Sequence, residues 1–233
     1  MIYQGTNEIN NIYQGNEEIQ AVYVGNDEVW TNQSVIDLGT AQTFNVGSIL
    51  SGKGITNIDT TQLTVNNFFF GTINSSSRTH RVGWVSGNHA DYGDIWINLE
   101  KSYNSSTSVL TFRGATHFGT YFDNWGVQYN SLHAYLVVKP SKLISLGSAQ
   151  SYNCTDISGY QNLTADNFIF STASQAYSRT GTEPAGEQGQ HTAYYSFQKS
   201  YAGGMLSAYL QANSDGYVSK GNSTAFCYKG RYK

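Results

Sequence analysis

Apolar residues in the first thirty positions return every ten residues: Ile2, Tyr3 and Ile9, then Ile12, Tyr13 and Ile19, then Val22, Tyr23, Val29 and Trp30. Gly5, Gly15 and Gly25 keep the same phase, as do Glu8, Glu18 and Glu28. MIYQGTNEIN, NIYQGNEEIQ and AVYVGNDEVW are therefore three copies of one unit. Glycine at every tenth position, without a sustained 3.6-residue spacing, excludes a helix. Runs such as EINNIYQ and EIQAVYV have strand length, and the intervening GNE and GND supply short turns. The pattern predicts a small β meander, or a stack of short hairpins, within an anchor segment of residues 1–33. So few apolar side chains on so short a stretch do not offset the entropy of ordering it, so the segment is expected to need a partner surface.

A longer repeat follows. VIDLGTAQTFNV (residues 35–46) returns as LISLGSAQSYNC (143–154), and LTVNNFFFGT (63–72) as LTADNFIFST (163–172). LEKSY (99–103) is echoed by FQKSY (197–201), and HAYLVVK (133–139) more loosely by TAFCYKG (224–230). The preserved order reads as a tandem duplication with its boundary near Lys139–Lys142, where one of two prolines sits. Strand-like runs TQLTVNNFFFG, DIWINLEK, SVLTFRG and AYLVVK alternate with Gly-, Ser- and Asn-rich loops. The expected fold is all-β: the anchor, then two duplicated antiparallel β-sandwich-like modules over residues 34–140 and 141–233. No amphipathic helix longer than a turn or two is evident, although TADNFIF leaves room for a short one.

Composition narrows the partners. Charged residues are 12% of the chain, about half the usual share, while Gly (24) and Tyr (18) are abundant, as in turn-rich β proteins. The net charge of -3 comes without any clustering of Lys and Arg, which argues against nucleic acid. No apolar run approaches the roughly 18 residues of a membrane span, and the first thirty residues lack a secretory pattern. Synthesis in a host cytoplasm is expected. Cys154 aligns with Val46 and Cys227 with Leu136, both aliphatic positions, so two buried thiols are favoured, with a disulfide as the alternative.

Candidate chemistry is sparse. His80, His89, Asp91 and Asp94 lie close together in the first module, but their spacing fits no metal or acid–base signature, and a polar loop is the favoured reading. No GxSxG elbow occurs, and no pair of carboxylates can be set across a cleft. No catalytic residue, cofactor or metal is expected. Trp84, His89, Tyr92, Trp96 and Trp125 mix rings with polar groups in the way sugars are bound, which makes them candidate glycan contacts, against the commoner use of aromatics in cores. Ile2, Tyr3, Ile9, Ile12, Tyr13, Ile19, Val22, Tyr23, Val29 and Trp30 are the candidate anchor and oligomer contacts.

Repeats of the form I-Y-x-G-x-x-E-I/V that end in Trp30 and precede tandem β modules resemble those of tailed-bacteriophage fibre and decoration proteins. The low-charge, Tyr- and Gly-rich composition is similar to head-fibre proteins of crAss-like phages. The resemblance implies a non-enzymatic virion protein, attached to capsid or tail by its N-terminus, projecting its C-terminal part, and trimeric more often than dimeric. Weak adhesion to cell-surface glycans is a further expectation. Two alternatives stand beside it: a tail-borne protein that recognises a host surface polysaccharide, and a polysaccharide-degrading virion enzyme.

Overall fold

The computed structural model describes residues 3–4, 7–8, 12–14, 17–19, 21–24, 27–31, 35–73, 76–82, 91–117, 125–127, 132–180, 189–214 and 217–228. The fold is all-β and antiparallel throughout. The N-terminal repeats hold six short strands: β1 (Tyr3–Gln4), β2 (Asn7–Glu8), β3 (Ile12–Gln14), β4 (Glu17–Ile19), β5 (Ala21–Val24) and β6 (Asp27–Thr31). They pair as β1 with β2, β3 with β4 and β5 with β6, giving three separate two-stranded sheets. Of the two arrangements the sequence allows, this is the set of hairpins and not the continuous meander. Among the described residues, β2 and β3, which fall within the run EINNIYQ, belong to different sheets.

The body begins with β7 (Val35–Ala41) and β8 (Thr43–Asn45), followed by α1 (Val46–Gly52). Asn45 caps α1, its Oδ1 accepting from the Ser48 amide at 3.0 Å, and Val46 and Leu50 point into the core. This two-turn helix has no clear signature in VGSILSG, where two glycines and two β-branched residues, Val46 and Ile49, lower helix propensity. Next come β9 (Phe68–Ile73), β10 (Ser76–Val82), β11 (Asp91–Asn104), β12 (Val109–His117), β13 (Trp125–Val127) and β14 (Leu132–Val137). A short 3-10 turn, Pro140–Lys142, leads to β15 (Ile144–Ala149) and β16 (Ser151–Asn153). The chain then forms β17 (Phe168–Thr180), β18 (Gly189–Ala202), β19 (Met205–Ser214), β20 (Tyr217–Gly221) and β21 (Ser223–Cys227).

TQLTVNNFFFG is strand only from Phe68 onward; Thr60–Gln62 and Val65–Asn67 are 3-10 turns. Local side-chain bonding explains the difference, because the Asn67 carboxamide oxygen accepts from the Thr64 amide at 2.9 Å and satisfies the backbone within the turn. Asn167 does the same for Thr164. Each asparagine also donates across the sheet, Asn67 to the Val137 carbonyl at 3.0 Å and Asn167 to the Tyr228 carbonyl at 2.9 Å.

The strands of residues 34–140 and 141–233 make corresponding pairings. β14 lies between β7 and β9, as β21 lies between β15 and β17. β12 pairs with β11, β8 and β13, as β19 pairs with β18, β16 and β20. Gly39 and Gly147 both take φ +81° where β7 and β15 shift register, a left-handed conformation that explains the recurring LG in the two sequence copies.

The sheets nevertheless cross the halves. β10 pairs with β18, β11 with β17, and β9 meets β17 at Phe70 and Phe170. β17 runs unbroken through both of its neighbourhoods, so it fuses strands of both halves into one ten-stranded sheet; β10 instead joins a separate five-stranded sheet. The main core fills the space between, with Phe44, Phe68, Phe70, Leu110, Phe168, Phe170 and Leu210 almost wholly buried. Phe70, Phe170 and Phe197 form an aromatic cluster where the halves meet, with centroids 4.7 to 5.6 Å apart.

Candidate functional site

In the N-terminal segment each decapeptide closes on itself. Tyr3 lies opposite Glu8, Tyr13 opposite Glu18 and Tyr23 opposite Glu28. The recurring Tyr and Glu columns are therefore one cross-strand pair made three times. Ile12 pairs with Ile19 and Val22 with Trp30, each in the row next to a Tyr–Glu pair. A register shift between Val22 and Tyr23 makes Val29 the extra residue on β6. Ile2 and Ile9 lie outside the described residues.

Among the described residues no strand pairing joins one hairpin to another or to the body. Among the described residues each hairpin is thus a two-stranded ribbon by itself, and a lone two-stranded ribbon is marginally stable at best.

Of the candidate glycan contacts, Tyr92 and Trp96 lie on β11 and Trp125 on β13. Trp84 and His89 lie outside the described residues. Tyr92 is opposite Arg179, Trp96 is flanked by His117 and Ala176, and Trp125 is opposite Thr116. Because Thr116 is in turn opposite Ile97, positions 96 and 125 occupy adjacent rows, which alternate between faces. His80 is opposite His191 and Asp91 opposite Thr180. Among the described residues no group of three or more His, Cys, Asp or Glu is placed to hold a metal ion.

Two buried lysines escaped notice in the sequence, although the repeated KSY of LEKSY and FQKSY marks them. Lys101 Nζ donates to the Phe68 carbonyl at 2.5 Å and sits 5.2 Å from the Phe69 ring centroid. Burial pushes its amine down to about 8. Lys199 reaches the Phe168 carbonyl at 3.4 Å and has Asp166 at 4.0 Å. Burial lowers it too, and the Asp166 carboxylate counteracts the shift. At the following turn of the pattern, Tyr103 donates to the Thr60 carbonyl and Tyr201 to the Tyr160 carbonyl, both at 2.8 Å. These groups fasten β11 and β18 to the turns preceding β9 and β17; their work is structural.

His133 Nε2 lies 2.6 Å from Asp37 Oδ1, its ring stacked on Tyr135 at 4.9 Å, and the pair ties β14 to β7. Burial, with Asp37 and Asp166 nearby, pushes the Tyr135 phenol up to about 12. Cys154 and Cys227 are buried and not joined in a disulfide, and burial pushes the Cys154 thiol up. No helix among the described residues is long and apolar enough to cross a membrane. Comparison of the chain with protein-family models, with curated proteins and with solved structures finds no match.

Proposed function

We propose that the chain is a structural, non-enzymatic bacteriophage virion protein, a head fibre or decoration protein, held to the particle by residues 1–33 and displaying the β body of residues 34–233. The observation that carries this reading is the closure of each repeat into its own hairpin: the described strand pairings of the first two stay within their decapeptides, and that of the third reaches one residue further, to Thr31. Three such ribbons have little apolar content of their own, and joining a partner sheet through backbone hydrogen bonds completes them. Repetition multiplies a weak grip, because three linked ribbons bind with the avidity of linked sites. Self-association as a trimer presents three anchors at once, and weak binding of surface glycans by the body gains in the same way.

Deleting residues 1–33 tests the anchor. The truncated protein is expected to keep its β circular dichroism and cooperative unfolding but to be lost from purified particles; incorporation equal to the full chain would sink the proposal. Light scattering on the full chain at micromolar concentration is expected to give about three times 25.7 kDa, and the monomer mass would remove the trimer.

A further inference from the structure

We infer that the two halves of the body, residues 34–140 and 141–233, are an arm-exchanged pair: each is completed by strands of the other, and the body is one inseparable unit built like a two-fold dimer fused into a single chain. The inference stands apart from the proposed attachment role.

Four observations carry it. Phe70 pairs with Phe170, and these are the same position of the FFFG and FIFS runs. An antiparallel pairing between a position and its own counterpart is what a two-fold axis produces. Second, the long ribbons trade partners. Among the described residues β10 has β18 as its only strand neighbour, from Ser76 opposite Tyr195 to Val82 opposite Gly189. β11 and β17 pair from Asp91 opposite Thr180 to Asn98 opposite Ser174.

Third, the two exchanges are equivalent. The FFFG and FIFS runs set position 176 as the counterpart of 76, and Lys101 and Lys199 set 97 as the counterpart of 195. The observed partner of Ala176 is Trp96, one residue away, and the slip lies beside the register shift between Tyr92 and Ile95. Fourth, a second apolar cluster, distinct from the main core, takes Val35, Phe69, Tyr135 and Val137 from one half and their counterparts Leu143, Ile169, Phe226 and Tyr228 from the other. Phe69 and Phe226 meet edge to face across it, at 5.2 Å.

Antiparallel hydrogen bonds of this kind can be made equally well by a hairpin closed within one half. Exchange gives the same ladder and adds the shared aromatic contacts, while the covalent link through Pro140–Lys142 keeps the two halves at high effective concentration. Two separately folded beads on a string would behave differently from such a body.

A protease site inserted between Ser141 and Lys142 of the full chain provides the test. After cleavage the two fragments are expected to co-elute on a native sizing column at the position of the uncut protein and to part only in denaturant. Separation in native buffer would overturn the inference. A cysteine pair guards against cohesion by the second cluster alone. Thr79 lies opposite Thr192 in the exchanged ribbon, whereas a hairpin closed within the first half would set it opposite Asp94, the counterpart of 192. In the cleaved protein, T79C/T192C is expected to oxidise to a species that holds both fragments together on a non-reducing gel, with the linkage identified by peptide mass spectrometry. Efficient T79C/D94C closure with T79C/T192C left reduced would refute the exchange, even if the fragments still co-eluted.

Discussion

The two halves of the body share a backbone plan and fill it differently. In the first half, Phe44 packs edge to face against Phe112 at 6.1 Å, with Leu132 buried nearby. The strand registers place Tyr152, Ala208 and Ser223 at the matching positions of the second half. There the Tyr152 hydroxyl reaches the Ala149 carbonyl at 2.8 Å and the Ser223 carbonyl, and accepts from the Ala149 amide at 3.1 Å. Ser223 Oγ donates in turn to the Ala208 carbonyl at 2.9 Å. An aromatic pair in one half is thus exchanged for a smaller residue plus a buried polar network in the other. One backbone tolerates both solutions because each keeps its volume filled and its polar groups bonded. A similar trade occurs at the strand bulges: Gly71, whose absent Cβ would come 2.6 Å from the Tyr135 ring, corresponds to Ser171.

The sharpest way to break this comparison is Phe112→Ala. Alanine already stands at the equivalent position 208, so if the backbone alone decided, the change would be mild. Since Phe44 has no hydroxyl network to occupy the space, the substitution is expected to cost about 3–5 kcal/mol in urea-unfolding free energy; a loss below about 1 kcal/mol would show that the first half can relax as the second does. Tyr152→Phe is the converse probe. It strips buried carbonyls of their donor without changing shape, and is expected to cost about 1–3 kcal/mol by the same measurement. A neutral result would mean that ordered water replaces the hydroxyl.

The smallest effect separates the two lysines. Lys101 has a folded-state pKa of about 8 against an ordinary 10.5, so between those values the unfolded chain binds more protons. Stability contributed through this group therefore rises as pH climbs from about 8 towards 10.5, and below about 8 the burial penalty on the charged form is felt in full. Tyr135 acts in the opposite sense only above its ordinary value of 10.0, because its folded pKa is about 12. Urea midpoints of the wild type are expected to increase between pH 8 and 10, and Lys101→Met to flatten that rise. Lys199→Met is expected to flatten it less, since Asp166 offsets part of the shift at that site. Equal slopes in wild type and Lys101→Met would remove the assignment.

Much of this was legible in the residues. The alternation of apolar and polar positions gave an antiparallel β fold, and the LG and KSY echoes fall at corresponding bulges and buried amines. Local chemistry hid the rest. Thr64 with Asn67, and Thr164 with Asn167, turn apparent strand into 3-10 backbone through their own side chains. Helix α1 is held by one cap and two core contacts, which no seven-residue periodicity reveals. Partner choice was the hardest to read. The residues of β10 and β11 suit a hairpin within one half as well as ribbons shared by two, because antiparallel pairing depends on the alternation of a strand and not on which strand lies beside it.

A ribbon that begins and ends its pairing within ten or eleven residues has a property that ordinary strands lack. Inserting or removing one decapeptide leaves the phase of every neighbouring ribbon unchanged, so copies can be gained or lost in the gene as whole tiles. Under the proposed attachment role, reach and tenacity then become adjustable in steps, with no redesign of the body that follows.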